Sequence, residues 1–330
     1  MPFRVVMAVV TAASFMTASP AQAASTTASR AGDAPAGPVI RYAGLSACVN
    51  DGGVGRHPCG PWKLWLSDGR VRALPDARRT DGDNPAMGLM AVSPDGRRAA
   101  YFRGSDGALM IWEVATGRAR QTKVKRPDSV RVTGLTLSPG GRFVGVEGER
   151  PTAVEGEHES QEPFRDRVVD TVTGRTFVLP RGYGLARFSP DDRHLMATHR
   201  SGAVVYATGT WAVKLRRSVY MAGDLGPDGV TVAKASRNDA YPSRNRVTVR
   251  NLATGKKSTF PLRLRKGEFP SSARWDAAGR LDLLTDSYRG PSGKEYHTYT
   301  WYRLDRGTGR LRKLDSFVVT SAVGDVILAD

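Results

Sequence analysis

Two sets of residues in this sequence have the types and spacing for recognition chemistry. Arg187, Asp224 and Arg274 each stand two residues before a recurring turn, as do Ala91 and Thr136. Two arginines flanking a carboxylate at one repeat position have two uses. They can lock into an Arg–Asp–Arg bridge, since structural ion pairs are common. Alternatively they grip a carboxylate or phosphate ligand, whose geometry the guanidinium fork matches. Thr136 adds a hydroxyl at the same repeat position. The second set lies in the polar stretches Ser236–Arg246 and Ser287–His297. It comprises Asn238, Asp239, Tyr241, Arg244, Tyr288, Arg289, Tyr296 and His297. Polar loops of varied length on a rigid scaffold are where binding residues concentrate. The same composition also suits unliganded surface insertions.

Catalytic and metal chemistry find less support. No Gly-x-Ser-x-Gly occurs, so a nucleophile elbow is missing. His194 and His199 sit five apart, on opposite faces of a strand, and cannot jointly chelate a metal. The segment Glu147–Asp166 carries Glu147, Glu149, Glu155, Glu157, Glu159, Glu162 and Asp166 around His158. Clustered carboxylates suit calcium, but neither EF-hand spacing nor a glycine–aspartate repeat accompanies them. Cys48 and Cys59, the only two cysteines, have His57 alone as a further ligand nearby, too few for structural zinc. No metal and no cofactor is expected, and a Cys48–Cys59 disulfide is.

The elements that position these residues follow from a repeat. One marker is a tight turn at Ser93-Pro94-Asp95-Gly96, Ser138-Pro139-Gly140-Gly141, Ser189-Pro190-Asp191-Asp192 and Gly226-Pro227-Asp228-Gly229, with Asp276-Ala277-Ala278-Gly279 as a weaker copy. The prolines are spaced 45, 51 and 37 apart, and Ala277 follows 50 later. The second marker is Thr-Gly, at Thr116-Gly117, Thr173-Gly174, Thr208-Gly209, Thr254-Gly255 and Thr308-Gly309, preceded by Asp68-Gly69. Between markers the chain alternates as strands do, best seen in Leu89–Ser93, Arg98–Arg103, Ala108–Val114 and Arg118–Val124. These are strands a, b, c and d, counted outward from a central channel. Periods of this size in a turn-rich chain predict propeller blades.

The expected fold is therefore all-β: a six-bladed β-propeller of four-stranded antiparallel blades over 39–330. The first blade has b, c and d but no strand a of its own. The apolar end Asp325–Asp330 is expected to supply it and close the ring, with Val318–Ala322 as the competing strand. Strand alternation then points Thr136, Arg187, Asp224 and Arg274 into the channel. Val92, Leu137, Phe188, Leu225 and Trp275 pack between blades.

The Ser-Pro-Asp-Gly-Arg stretches, clearest at Ser93–Arg97 and Ser189–Arg193, resemble the TolB-type propeller repeat, a relative of WD-repeat blades. The resemblance implies an envelope or secreted propeller that binds other proteins. TolB itself has an additional N-terminal domain where this chain has a tether. A non-catalytic module binding a protein or small anionic ligand is the expected function. The alternative is a lactonase-, lyase- or glycosidase-like enzyme with its site at the channel mouth, because such sites leave no local motif.

The first 23 residues read as a secretory signal peptide. Arg4 precedes an apolar run to about Ala18, and Pro20 precedes Ala21-Gln22-Ala23, a small-x-small cleavage site. Residues 24–38, rich in Ala, Ser, Thr, Gly and Pro, read as a flexible linker. No stretch is long and apolar enough for a transmembrane span. The 49 Lys and Arg against 32 Asp and Glu give a net charge of +17, and cleavage removes only Arg4. The densest basic runs follow the Thr-Gly turns, on strand d, where charge also blocks edge pairing. Export and the lack of stacking aromatics there argue against nucleic acid. An anionic envelope polymer is the expected contact, and the chain is expected to be monomeric.

Overall fold

The structure is a computed structural model describing residues 37–49, 56–81, 84–85, 89–127, 130–149, 164–218, 223–238, 245–289, 296–320 and 323–329. The expected signal peptide and nearly all of the linker lie outside the described residues. Gly37 onward forms six four-stranded antiparallel sheets, the blades of a β-propeller. Strands a to d are Met90–Val92, Arg98–Phe102, Ala108–Glu113 and Arg118–Lys125 in blade 2. They are Arg131–Leu137, Phe143–Glu149, Arg167–Asp170 and Thr176–Val178 in blade 3, and Gly184–Phe188, His194–His199, Gly202–Ala207 and Val213–Arg217 in blade 4. Blade 5 is Asp224–Leu225, Thr231–Ser236, Arg246–Asn251 and Lys257–Pro261. Blade 6 is Glu268–Trp275, Leu281–Arg289, Tyr296–Leu304 and Leu311–Thr320.

Blade 1 joins the two ends of the chain. Its strand a is Val323–Leu328, paired with strand b, Ile40–Val49; strands c and d are Arg56–Leu66 and Val71–Leu74. The closing strand thus starts two residues before the expected Asp325. The competing segment from Val318 belongs to strand d of blade 6 instead. A short hairpin, Thr80–Asp81 with Asn84–Pro85, joins blades 1 and 2; the repeat gave no sign of it. Cys48 and Cys59 are disulfide-bonded across strands b and c of blade 1.

The repeated turn has a physical cause. Ser93 is fully buried, and its hydroxyl donates to Asp95 Oδ1 (2.6 Å) while accepting from Arg98 N–H (3.0 Å). Asp95 Oδ1 also accepts from Arg97 N–H at 3.0 Å. Ser189, Asp191 and His194 repeat the arrangement in blade 4. Serine and aspartate thereby satisfy the backbone that the turn leaves unpaired. Gly96 sits at φ +68°, and a Cβ there would come within 2.6 Å of Ile40 O, so this turn also demands close approach.

The second marker holds in blades 2, 3, 5 and 6, where Gly117, Gly174, Gly255 and Gly309 adopt positive φ. Blade 4 departs from it. Gly209 does not take that position; Trp211 does, at φ +59°, its N–H donating to Ala207 O (2.7 Å) as the glycines donate in their blades. A left-handed tryptophan costs about 1–2 kcal/mol. Its ring stacks on Phe177 at 4.6 Å and meets Phe143 edge-on at 5.5 Å, which offsets that cost across the seam of blades 3 and 4. Val92, Leu137, Phe188, Leu225 and Trp275 are all buried, as strand alternation requires.

Candidate functional site

Strand a places Thr136, Arg187, Asp224 and Arg274 on four successive blades. Arg187 Nε stands 3.9 Å from Asp224 Oδ1, so blades 4 and 5 contribute to one ion pair. The other carboxylate oxygen of Asp224 accepts from Trp275 N–H at 2.8 Å and ties blade 5 to blade 6. Arg274 takes a different course. Its Nη1 donates to Ala329 O (2.6 Å) and to Pro94 O, and its guanidinium lies 3.7 Å from the Trp301 ring centroid. It joins blade 6 to blades 1 and 2 at the closure. Thr136 and Arg187 share a small cavity walled by Val92, Leu135, Phe188 and Ile327, and Pro94 belongs to the same wall.

A carboxyl pair flanks Arg187. The register Val146↔Arg167 sets Glu147 opposite Asp166, at the end of strands b and c of blade 3. Glu147 packs over Gly134, whose missing side chain leaves the room it occupies. Asp166 Oδ2 accepts from Leu185 N–H of blade 4 at 3.3 Å. Burial pushes the Glu147 carboxyl above its ordinary pKa, the Asp166 charge adds to this, and Arg187 offsets part of it. Burial likewise raises Asp166, against two backbone N–H donors. The carboxylates between them, from Glu155 to Glu162, lie outside the described residues. Among the described residues no group of three or more His, Cys, Asp or Glu is placed to hold a metal ion.

The b–c end of blade 6 gathers a third constellation. Cross-strand pairing sets Tyr288 against His297, Arg289 against Tyr296 and Asp286 against Tyr299. Tyr288 and His297 rings lie 5.2 Å apart, and His297 stacks on Tyr299 at 6.0 Å. Tyr299 stacks on Phe317, Phe317 on Tyr42 and Tyr42 on Trp65, at 5.6, 5.6 and 4.6 Å. Six rings thus run from the buried seam of blades 6 and 1 up to Tyr288, which is 52% exposed. Asp286 turns one oxygen toward His297 Nδ1 and the other toward Arg237 Nη1, each at 3.7 Å, beyond direct hydrogen bonding. The Arg237 guanidinium covers the Phe269 ring at 4.3 Å.

Of the eight loop candidates, the structure brings Tyr288 and His297 together. Tyr296, one residue from His297, projects to the opposite face of the sheet. Asn238 N–H donates to Asn245 Oδ1 at 2.7 Å, closing the base of its loop. Asp239, Tyr241 and Arg244 lie outside the described residues, and of Arg289 only the backbone is described. Sequence reasoning missed Arg237, Phe269, Asp286 and Tyr299. The i, i+2 spacings Asp286–Tyr288 and His297–Tyr299 were the available signal, since strand alternation continues through both pairs.

The basic runs of blades 2 and 4 lie on strand d as expected, whereas in blade 5 strand d ends at Pro261 and Arg263, Arg265 and Lys266 follow it in the connection to blade 6. Strand d of blade 2 is exposed at Arg118, Arg120, Lys123 and Lys125, and strand d of blade 4 at Lys214, Arg216 and Arg217. Among the described residues, no helix is long and apolar enough to cross a membrane.

No known family's sequence pattern matches this chain, and no curated protein matches it. Solved structures do. TolB from Agrobacterium tumefaciens is 11% identical, matched over 71% of this chain and 82% of its own, with a TM-score of 0.43. An oligogalacturonate lyase from Vibrio parahaemolyticus is 14% identical over 85% of this chain and 80% of its own, at 0.47. Acylaminoacyl peptidase from Pyrococcus horikoshii is 13% identical over 84% of this chain, which spans about half (52%) of that protein, at 0.44. These likenesses concern the propeller fold, which hosts unrelated functions.

Proposed function

We propose that this protein is a secreted, non-catalytic β-propeller that binds a partner protein through the b–c end of blade 6. Tyr288 carries the reading. It is a half-exposed aromatic side chain braced from below by five further rings, with Arg237, Asp286 and His297 beside it. Aromatic residues and arginine are the usual anchors of protein interfaces, and a pre-stacked ring loses little freedom on binding. Secretion rests on the signal-like first 23 residues and on the disulfide, which persists in oxidising compartments. The channel group Arg187, Asp224 and Thr136, with Arg274 at its edge, is a secondary site for a small anionic ligand. The basic outer rim is the contact for an anionic envelope polymer.

The test is recovery of binding partners by the tagged chain from its own secreted and envelope fractions. A partner retained by wild type should be lost with Tyr288→Ala/His297→Ala and kept with Arg187→Ala/Arg274→Ala. Equal recovery by all three proteins overturns the assignment. One observation favours a second reading, that of an enzyme at the channel mouth. Glu147 and Asp166 face each other with raised pKa values, which suits general acid catalysis. That reading requires hydrolytic or lyase turnover that disappears in Glu147→Gln.

A further inference from the structure

The outer edges of the six blades are guarded unequally. Blades 1, 3, 4 and 5 end in strands of three to five residues. The blade 5 strand stops at Pro261, which has no N–H to offer. Strand d of blade 2 is longer but exposes Arg118, Arg120, Lys123 and Lys125 along it. Short strands, prolines and cations are the usual means of keeping a sheet edge from accepting another chain. Blade 6 lacks all three over the second half of its edge. Its strand d runs ten residues, Leu311–Thr320, and residues 316–320 include no charge and no proline. Among the described residues it is the outermost strand of its sheet, with no chain paired beyond it.

That edge is also held in place. Leu314 is an extra residue opposite the step from Trp301 to Tyr302, a bulge that divides the strand. Beyond it, residues 315–320 pair with strand c in regular register. Phe317 and Val319 are buried at the seam with blade 1. Asp315 is turned to the same seam, where Arg41 donates to its two oxygens at 2.6 and 2.8 Å, so its charge does not guard the edge. In an antiparallel strand every second residue turns both N–H and C=O away from the paired neighbour, so this half presents about three donor–acceptor pairs outward. Val318 is half exposed beside them. Arg312 and Lys313, both exposed, stand just before the bulge. As consecutive residues of a strand they point to opposite faces, so an added strand meets a cation on either face.

We infer that the outer edge of blade 6 accepts an extended segment of the partner protein as a fifth strand, with an apolar side chain beside Val318 and acidic side chains against Arg312 and Lys313. Main-chain bonds to the regular half give such a complex its affinity, and the flanking side chains give its choice of sequence. An edge already fixed by Phe317 and Val319 loses little freedom on pairing. The edge adjoins the surface proposed above, since cross-strand pairing sets Val319 beside His297 and His297 beside Tyr288. An added strand lies three strand spacings from Tyr288, about 14 Å, which about four or five further residues of the same partner span. The inference rests on the reading that blade 6 meets a partner protein, and it names how that partner engages.

The probe is a fluorescein-labelled synthetic peptide, Val-Thr-Val-Ser-Val-Asp-Glu-Glu, added to the full chain. Fluorescence anisotropy reads its binding and amide hydrogen exchange reads its place. The peptide should bind saturably and slow exchange at residues 315–320, leaving strand d of blade 2 unchanged. Two further peptides, N-methylated at odd or at even positions, keep the charges and remove alternate donors. One of them should bind about tenfold more weakly or worse, and the other should bind as the parent does, because only one set faces the edge. Arg312→Gln/Lys313→Gln should weaken binding about threefold or more and reduce its sensitivity to salt. Tyr288→Ala/His297→Ala should bind the peptide as wild type does. No saturable binding, unchanged exchange at 315–320, or equal binding of the two methylated peptides overturns strand addition. Protection of 315–320 that rises with protein concentration in the absence of peptide overturns the assigned occupant in favour of a second copy. A partner retained through Tyr288 by a chain whose edge the peptide does not protect refutes this inference and leaves the proposed function standing.

Discussion

Asp192 provides the sharpest test of how the ring is held together. It occupies the glycine position of its turn at φ +61°, and its Oδ2 accepts from Gly140 N–H of the neighbouring blade at 2.7 Å. Oδ1 is buried with no hydrogen-bond partner. Burial pushes the carboxyl up to about 6, against the Gly140 and Ser138 donors, with Asp95 adding and Arg98 subtracting. An Asp at 3.8 in the unfolded chain and near 6 in the fold makes ionisation cost up to about 3 kcal/mol of stability. Because the group is partly solvated, about 1–2 kcal/mol of that survives screening. The folded pKa is raised, so the stability is intact below pH 4, where Asp192 is protonated in both states, and about 1–2 kcal/mol is lost as pH climbs through 6. The substitution Asp192→Asn keeps the acceptor for Gly140, removes the charge and tolerates the left-handed backbone. Urea denaturation followed by tryptophan fluorescence should give a variant-minus-wild-type stability that grows by 1–2 kcal/mol between pH 4 and 7.5. Groups common to both proteins cancel in that difference. A pH-independent difference, or one that shrinks with pH, refutes the argument.

Other outcomes follow from the same geometry. Gly96→Ala forces a Cβ against Ile40 O at positive φ and should cost about 2 kcal/mol or more, read by thermal unfolding. Replacing both cysteines by Ser should cost about 2–3 kcal/mol, since the bridge closes an 11-residue separation; reduction of wild type should reproduce the loss. Trp211→Ala removes the stack on Phe177 and should cost about 2 kcal/mol, less than the loss of a fully buried tryptophan. Deleting Val323–Asp330 uncovers strand b of blade 1 and should turn a single unfolding transition into a broad one, seen by calorimetry.

The blades were legible because each turn carries its own chemistry in sequence. Ser93 and Asp95 satisfy named backbone groups, and Gly96 and Gly117 supply positive φ, so residue type reports conformation directly. Trp211 was not legible, because a left-handed tryptophan depends on Phe177, which is 34 residues away in the chain and belongs to another blade. In the channel group, the repeat position brings Arg187 within 3.9 Å of Asp224, but a long arginine chooses among all acceptors in reach, and Arg274 found Ala329 O and Pro94 O across the closure. Arg237 and Asp286 escaped notice because their meeting depends on how blade 5 leans over blade 6, which no local pattern encodes.

The pairing of Tyr42 with Leu328 has a consequence for the order of events in the protein's making. Every other blade consists of hairpins that close within tens of residues, and each can form as soon as it emerges. The first blade cannot. Its innermost strand follows the five other blades in the chain, and joining positions 286 apart costs about 3 kcal/mol more chain entropy than a loop of about ten residues. Until then the chain is an open arc with an unpaired inner edge, the state most exposed to proteases and to pairing with its own copies. Sealing is therefore one late, cooperative event. Alterations near the final strand should act on the yield of finished protein rather than on the five blades already built.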